Sequence, residues 1–299
     1  MPNSMLANPK ETKRVLDSFN LSAKYKFGQN FLVDDNIIGR ILEFANITEQ
    51  DIPVLEVGPG IGTLTVAMLQ KAPVISIEFD EDMAHVLQET TGDYSERFAL
   101  IQKDALKLQR EDIENAISRL NDMGCNGAAS FPKKLVANLP YQIAATLILD
   151  YFERFEFIEE MIVMVQREVA DRICAQLGTK DYGAYSIKLR MHAKMLDRFQ
   201  VAPTCFYPAP RVESSVIHLR RDPASNDKNL VRAASKIADA AFAQRRKTIR
   251  NSLSTSFDKQ LIDELLSSCN IAPNVRGEAL SIQDYLNLGK EFLKLTSQH

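Results

Sequence analysis

Two regimes of apolar and polar positions divide this chain. From Pro53 to Val165, short and nearly unbroken apolar runs alternate with segments whose apolar residues recur at helical spacing. The runs are Pro53 to Val57, Val74 to Ile77, Phe98 to Gln102, Leu135 to Ala137 and Met161 to Val165. Between and after them, Thr63 to Gln70, Glu81 to Gln88, Ala144 to Phe152 and Gln166 to Leu177 read as helices. Buried strands separated by helices predict a parallel, doubly wound α/β sheet. Two later apolar runs, near Lys194 to Ala202 and Ser214 to Leu219, are close enough in sequence to form an antiparallel edge. A polar break with a proline, Arg220 to Asn226, follows, and from Asn229 to Leu295 only helical spacing remains.

Upstream, Asp34 is placed to cap a helix whose apolar face runs from Ile37 to Phe44. The first residues are polar and read as a frayed tail. The expected organisation is therefore a tail over 1–23, a sheet domain over 24–222 and a small all-helical domain over 223–299. The stretch from Arg110 to Lys134, with Gly124 and Gly127, is long for a link between two strands.

Composition narrows the function. Apolar residues are 45% and charged residues 25% of the 299, an ordinary globular balance. No apolar run approaches the ~20 residues of a membrane span. Cys125, Cys174, Cys205 and Cys269 lie far apart, so neither a disulfide framework nor a metal site is expected, and a cytoplasmic protein fits. The net charge of −3 argues against uniform attraction to nucleic acid, yet Arg245, Arg246, Lys247 and Arg250 concentrate positive charge in the helical region. Such a cluster suits RNA phosphates; a solvated helix face is the alternative. Arg220-Arg221 and Lys24-Tyr25-Lys26 could extend it.

Chemistry is written at the strand ends. After the first run comes Gly58-Pro59-Gly60-Ile61-Gly62, which lets the backbone turn sharply and a ligand approach closely. Glu78 ends the second run twenty residues after Gly58, where doubly wound sheets bind the ribose of a nucleoside cofactor. The glycine spacing departs from the dinucleotide pattern, which disfavours an oxidoreductase. Asp104 ends the third run and can accept from an adenine amino group, or cap the next segment. Glu56 points toward the glycine turn, where it could hold loop amides. Asn138-Leu139-Pro140-Tyr141 ends the fourth run with an amide, a stiff proline and an aromatic ring, groups that suit a flat substrate bearing an amine.

Taken in order, these segments resemble the small-subunit ribosomal RNA adenine N6,N6-dimethyltransferases. The likeness spans roughly Lys24 to Leu253. It rests on Phe27-Gly28-Gln29-Asn30-Phe31-Leu32, Glu56-Val57-Gly58-Pro59-Gly60, Glu78-Phe79-Asp80, Asp104-Ala105 and the Asn138 tetrad. Phe206-Tyr207-Pro208-Ala209-Pro210-Arg211-Val212-Glu213-Ser214 and Gln244 to Asn251 complete it. The resemblance implies a Rossmann-like class I methyltransferase sheet and S-adenosylmethionine as cofactor, held by Asn30, Leu32, Gly58, Glu78, Asp104 and Asn138. It places the target base against Asn138, Leu139, Pro140, Tyr141 and Phe206. The implied partner is small-subunit rRNA in a partly assembled 30S particle, met by a monomer without metal or membrane. Two rivals stay open: the related large-subunit enzymes of macrolide resistance, and an RNA-binding factor that keeps the fold without turnover.

Overall fold

A computed structural model describes residues 2–22, 29–48, 53–125, 130–223, 227–244 and 246–297. Lys24-Tyr25-Lys26, Phe27-Gly28, Gly127 and Arg245 therefore lie outside the described residues. The chain divides into two compact units, Met1–Ala170 with Leu196–Arg220, and Asp171–Met195 with Arg221–His299.

The first unit is built on a parallel sheet. Its strands include β2 (Val54–Val57), β3 (Val74–Glu78), β4 (Phe98–Gln102), β5 (Lys134–Asn138) and β6 (Glu160–Gln166). Every residue of β2 and β3 is buried, as expected for strands covered on both faces. Two further strands, β7 (Ala193–Val201) and β9 (Ser214–Arg221), complete the order β4-β3-β2-β5-β6-β9-β7. The pairs β2–β3, β3–β4, β2–β5 and β5–β6 are parallel, and β9 runs antiparallel to β6. The expected antiparallel edge is present. Because β3 and β4 lie on one side of β2 and β5 and β6 on the other, the order reverses between β2 and β5. A crevice opens at such a switch point, outside the carboxyl ends of the strands.

Helices follow the strands as the spacing predicts: α3 (Thr63–Leu69), α4 (Glu81–Thr90), α6 (Ala144–Arg154) and α7 (Arg167–Cys174). The cap forecast for Asp34 is made: its Oδ1 accepts from the Asn36 and Ile37 amides at 3.0 and 3.3 Å, starting α2 (Asp35–Ala45). The long stretch after Gln109 contains an amphipathic helix, α5 (Arg110–Asp122), which buries Ile113, Ala116, Ile117 and Leu120. That apolar stripe accounts for the excess length.

The N-terminal segment is no frayed tail. Asn8 caps α1 (Pro9–Ser18) by accepting from the Glu11 amide at 2.8 Å. The Asp35 carboxylate takes the Asn3 and Ser4 amides at 3.0 and 2.9 Å. Val15 and Leu16 are buried in one cluster with Phe31, Ile61, Met83 and Val86. A short ladder pairs β1 (Phe31–Leu32) with β8 (Phe206–Tyr207), antiparallel, with Leu32 opposite Phe206.

The second unit is helical, comprising α8 (Ala184–His192), α9 (Lys228–Phe242), α10 (Ile249–Leu253), α11 (Lys259–Ser268) and α12 (Ile282–Thr296). It starts earlier than the boundary expected at 222. Tyr182, Ile187 and Met191 share one apolar cluster with Ile237, Ala241, Leu265 and Leu288, so Asp171–Met195 packs here. Two helices cross closely because small residues meet: a Cβ added at Gly289 would lie 2.8 Å from the Ala234 nitrogen. Gly289→Val should therefore cost about 1–3 kcal/mol by overpacking, read as a lower urea midpoint by circular dichroism. An unchanged midpoint would show that α9 and α12 separate without penalty.

Candidate functional site

The crevice at the switch point is a cavity of about 280 Å³, near the lower limit of small-molecule sites. Its walls come from the β1 segment, the glycine turn, the ends of β3 and β4, and the tetrad after β5. Asn30, Leu32, Gly58, Glu78, Asp104, Asn138, Leu139, Pro140 and Tyr141 all line it, so sequence-distant residues converge as expected.

Backbone geometry requires glycine at the turn. Gly58 and Gly60 have φ of +68° and +57°, which L side chains rarely adopt. A Cβ at Gly58 would sit 3.0 Å from Pro140 Cγ, and one at Gly60 would sit 3.0 Å from the Phe31 ring. Three motifs thus interlock without room for a methyl group.

Acidic groups ring the cavity. Glu78 is buried and its Oε1 accepts from the Phe79 and Asp80 amides at 2.8 and 2.9 Å. Burial raises its pKa, while bonds from Asp80, Phe79 and Gly60 oppose the rise. Asp104 performs the bland role foreseen for it, with Oδ1 accepting from the Leu106 amide at 3.0 Å. That cap engages one oxygen, and Asp104 still stands in the cavity wall. Its neighbour Lys103 is drawn to Asp112 at 2.6 Å. Asp80 caps α4 and accepts from Gln29 Nε2 at 3.0 Å, tying the segment before β1 to the end of β3. In the sequence Asp80 stands only as part of Glu78-Phe79-Asp80, with no role of its own, and its capping position two residues after Glu78 is the available signal.

Glu56 differs from expectation. Among the described residues it holds no loop amide; its Oε2 accepts from the Thr65 and Ser76 hydroxyls, each at 2.7 Å. Those side chains project from α3 and β3 beneath the turn, where a carboxylate is the nearest acceptor. Burial pushes the Glu56 carboxyl up to about 7, against the two hydroxyl bonds and assisted by the charge of Glu78.

The tetrad is anchored from several directions. Asn138 Nδ2 donates to the Asn30 carbonyl at 3.2 Å, which leaves Oδ1 as the acceptor. The Leu139 amide donates to Met164 O at 3.1 Å, and no bond among the described residues uses the Leu139 carbonyl. The Pro140 carbonyl accepts the Ile143 and Ala144 amides, which opens α6. Tyr141 Oη lies 2.8 Å from Ser214 Oγ, and burial raises its pKa, so it stays a neutral phenol. Phe206 is placed elsewhere. It is only 4% exposed, packs in the core with Leu32, and does not line the cavity. Its ladder partner Leu32 fills the wall instead, so the ring backs the site rather than covering a base.

The basic cluster is divided in role. Arg246 and Lys247 are exposed. Arg250 forks onto Asp263, with Nε–Oδ1 at 2.6 Å and Nη2–Oδ2 at 2.7 Å, which neutralises it locally. Arg220 is likewise paired, with Glu160 at 2.9 Å. Among the described residues no cluster of His, Cys, Asp and Glu could hold a metal ion, and no helix is long and apolar enough to cross a membrane.

These groups fit S-adenosylmethionine. Buried Glu78 at the strand end suits ribose hydroxyls, and several carboxylates in one small cavity suit a cation. The Thr63 hydroxyl, buried and without a hydrogen-bond partner among the described residues, stands at the same wall. Sheet, switch-point crevice and acidic strand ends together define a class I methyltransferase that uses S-adenosylmethionine.

The chain belongs to the ribosomal RNA adenine dimethylase family, whose model matches residues 20–294. It is 37% identical over 290 residues to a ribosomal RNA small subunit methyltransferase A of Lachnoclostridium phytofermentans, covering 95% of this chain and 96% of that one. The protein of the same name from Corynebacterium glutamicum strain R is 35% identical over 293 residues, 95% of this chain and 94% of the other. A crystal structure of a dimethyladenosine transferase from Plasmodium falciparum shares the fold with a TM-score of 0.70 at 24% identity, covering 88% of this chain and 98% of that one. The 23S rRNA methyltransferase ErmE shares it at 0.60 and 23%, covering 88% and 99%.

Glu56 makes a pH-dependent prediction. A carboxyl held near 7 in the fold keeps a proton that the unfolded chain releases near 4.5. The native state then binds more protons between these values, so the Glu56 contribution to stability falls as pH rises through that window. Glu56→Gln keeps an acceptor and removes the charge. Its stability relative to the parent should rise by about 3 kcal/mol between pH 4 and pH 8, measured by urea denaturation at each pH. A pH-independent difference would show that Glu56 ionises normally.

Proposed function

We propose that the protein transfers methyl groups from S-adenosylmethionine to N6 of two adjacent adenines in a 3′-terminal hairpin of small-subunit rRNA, giving N6,N6-dimethyladenosines. The observation that carries this reading is the paired acceptor at the end of β5. Asn138 Oδ1 is left over by the Asn30 bond, and the Leu139 carbonyl beside it has no partner among the described residues. Two adjacent acceptors match the two N–H groups of an exocyclic amine. A neighbouring aromatic ring, Tyr141, supplies a face for an unstacked base.

The amine of adenine is a weak nucleophile because its lone pair is delocalised into the ring. Accepting both N–H bonds at Asn138 Oδ1 and the Leu139 carbonyl fixes the nitrogen and draws it toward tetrahedral geometry. Its lone pair is then available on the cavity side. When bound, S-adenosylmethionine supplies an electrophilic methyl group on a sulfonium. Glu78, Asp104 and the glycine turn would hold that ligand, the two carboxyl groups on the side of its ribose and base and the turn letting the backbone approach it closely. Pro140 lacks an N–H and stiffens the Leu139 carbonyl. Alignment and electrostatics therefore do the catalytic work. Tyr141 remains protonated, and the amine, which becomes acidic on methylation, releases its proton to water. For the second methyl only one N–H is left, so one acceptor contact suffices.

Exposed Arg246 and Lys247, with Arg245 outside the described residues, supply phosphate contacts; Arg250 contributes less because Asp263 engages it. An overall acidic chain with one basic cluster suits a shaped, partly assembled small-subunit particle in preference to bare RNA.

Methyl transfer to small-subunit particles lacking the modification, with product mapping, tests the assignment. The parent protein should yield dimethyladenosine at both positions, and Asn138→Ala should lose about 10²–10³-fold in kcat while remaining folded. Full dimethylation by that variant would refute the acceptor role. Replacing both Arg246 and Lys247 by Ala should make the salt dependence of particle binding shallower by about 1 per cation removed. An unaltered slope in a filter-binding titration would move the phosphate contacts elsewhere.

A further inference from the structure

Tyr141 is held at both ends. At its backbone it follows Pro140, whose carbonyl is committed to the start of α6. At its far end the phenol oxygen lies 2.8 Å from Ser214 Oγ, the first residue of β9. Ser214 is fully buried, in register opposite Gln166 on β6, and the adjoining Arg167 amide donates to the Glu213 carbonyl at 2.9 Å. The anchor is therefore part of the sheet, not of a loop.

The geometry of a tyrosine makes this bond selective. Its oxygen lies on the axis of χ2, so the bond leaves rotation of the ring about that axis open. It blocks the swing about χ1, which would carry the ring away from the cavity. Conjugation keeps the O–H near the ring plane, so the direction toward Ser214 also biases the tilt. A stacking face needs both: a ring that samples a second χ1 well is competent for only part of the time, and apparent affinity for the base falls by that fraction. A buried serine hydroxyl needs a partner in its own right, which makes the arrangement reciprocal.

Building on the reading of the site given above, we propose that Ser214 is a positioning residue, whose hydroxyl pins the Tyr141 phenol so that the ring stands as a fixed platform for the target adenine. Ser214 acts only through Tyr141. Losing the bond should lower the competent fraction by about 3- to 10-fold, the range for one net hydrogen bond.

The test is a double-mutant cycle on the full-length protein, with small-subunit particles lacking the modification as substrate. Ser214→Ala and Tyr141→Phe should each lower kcat about 3- to 10-fold, and the double variant should be no worse than either single one. The KM for particles, set by phosphate contacts, and the Kd for S-adenosylhomocysteine by calorimetry should not move. Additive losses, or a Ser214→Ala variant with parental kcat, would overturn the positioning role. So would a fall in cofactor affinity and melting temperature that parallels the loss of rate, because it would make the serine merely structural. Retention of parental activity by Asn138→Ala and Tyr141→Ala would instead sink the reading of the site itself.

Discussion

One hydrogen bond sets the direction of the site: Asn138 Nδ2 donating to the carbonyl of Asn30. A primary amide has a donor end and an acceptor end. Where the donor end is engaged, the acceptor end has its direction imposed. The bond also joins segments 108 residues apart, the end of β5 and the entry to β1, across the mouth of the switch-point crevice. Both the polarity of the acceptor pair and the closure of the cavity wall depend on it. Around this bond the packing tolerates little, because a Cβ at Gly58 would press on Pro140 and one at Gly60 on Phe31.

The electrostatic design separates two kinds of carboxylate. Glu78, Asp80 and Asp104 accept from backbone amides at strand ends and helix starts, and at Glu78 those bonds oppose the rise that burial causes. Glu56 stands in the same cavity wall but, among the described residues, its side chain accepts from hydroxyls, and burial pushes it up to about 7. The buried acid Glu56 joins α3 to β3 through Thr65 and Ser76.

Much of this was legible in the sequence because strand ends are where short motifs and buried runs meet. The runs at Val54, Val74, Phe98 and Leu135 give the parallel strands, and the residues that follow them, Gly58, Glu78, Asp104 and Asn138, line the crevice. What escaped did so for physical reasons. The helix at Pro9–Ser18 is mostly charged on its outer face, so its sparse apolar stripe of Val15 and Leu16 was masked, although Asn8-Pro9 carries a cap signal. The placement of Asp171–Met195 depends on long-range packing that no local pattern encodes. Phe206 carried a motif, but its burial follows from pairing with Leu32. Arg250 belongs to the basic cluster in sequence, but Asp263, thirteen residues on, engages it in the fold.

The little ladder that pairs Phe31 with Tyr207 has a temporal meaning during synthesis. The residues that line the cavity end at Ile143, yet the segment carrying Asn30, Phe31 and Leu32 gains its strand partner only when residues 206–207 have left the exit tunnel, and the Tyr141 ring gains its Ser214 partner later still. A nascent chain emerging N-terminus first therefore carries an open-sided pocket through much of its elongation. The ladder that gives this segment its partner is encoded ahead of Ser214–Arg221, the strand on which the antiparallel edge depends.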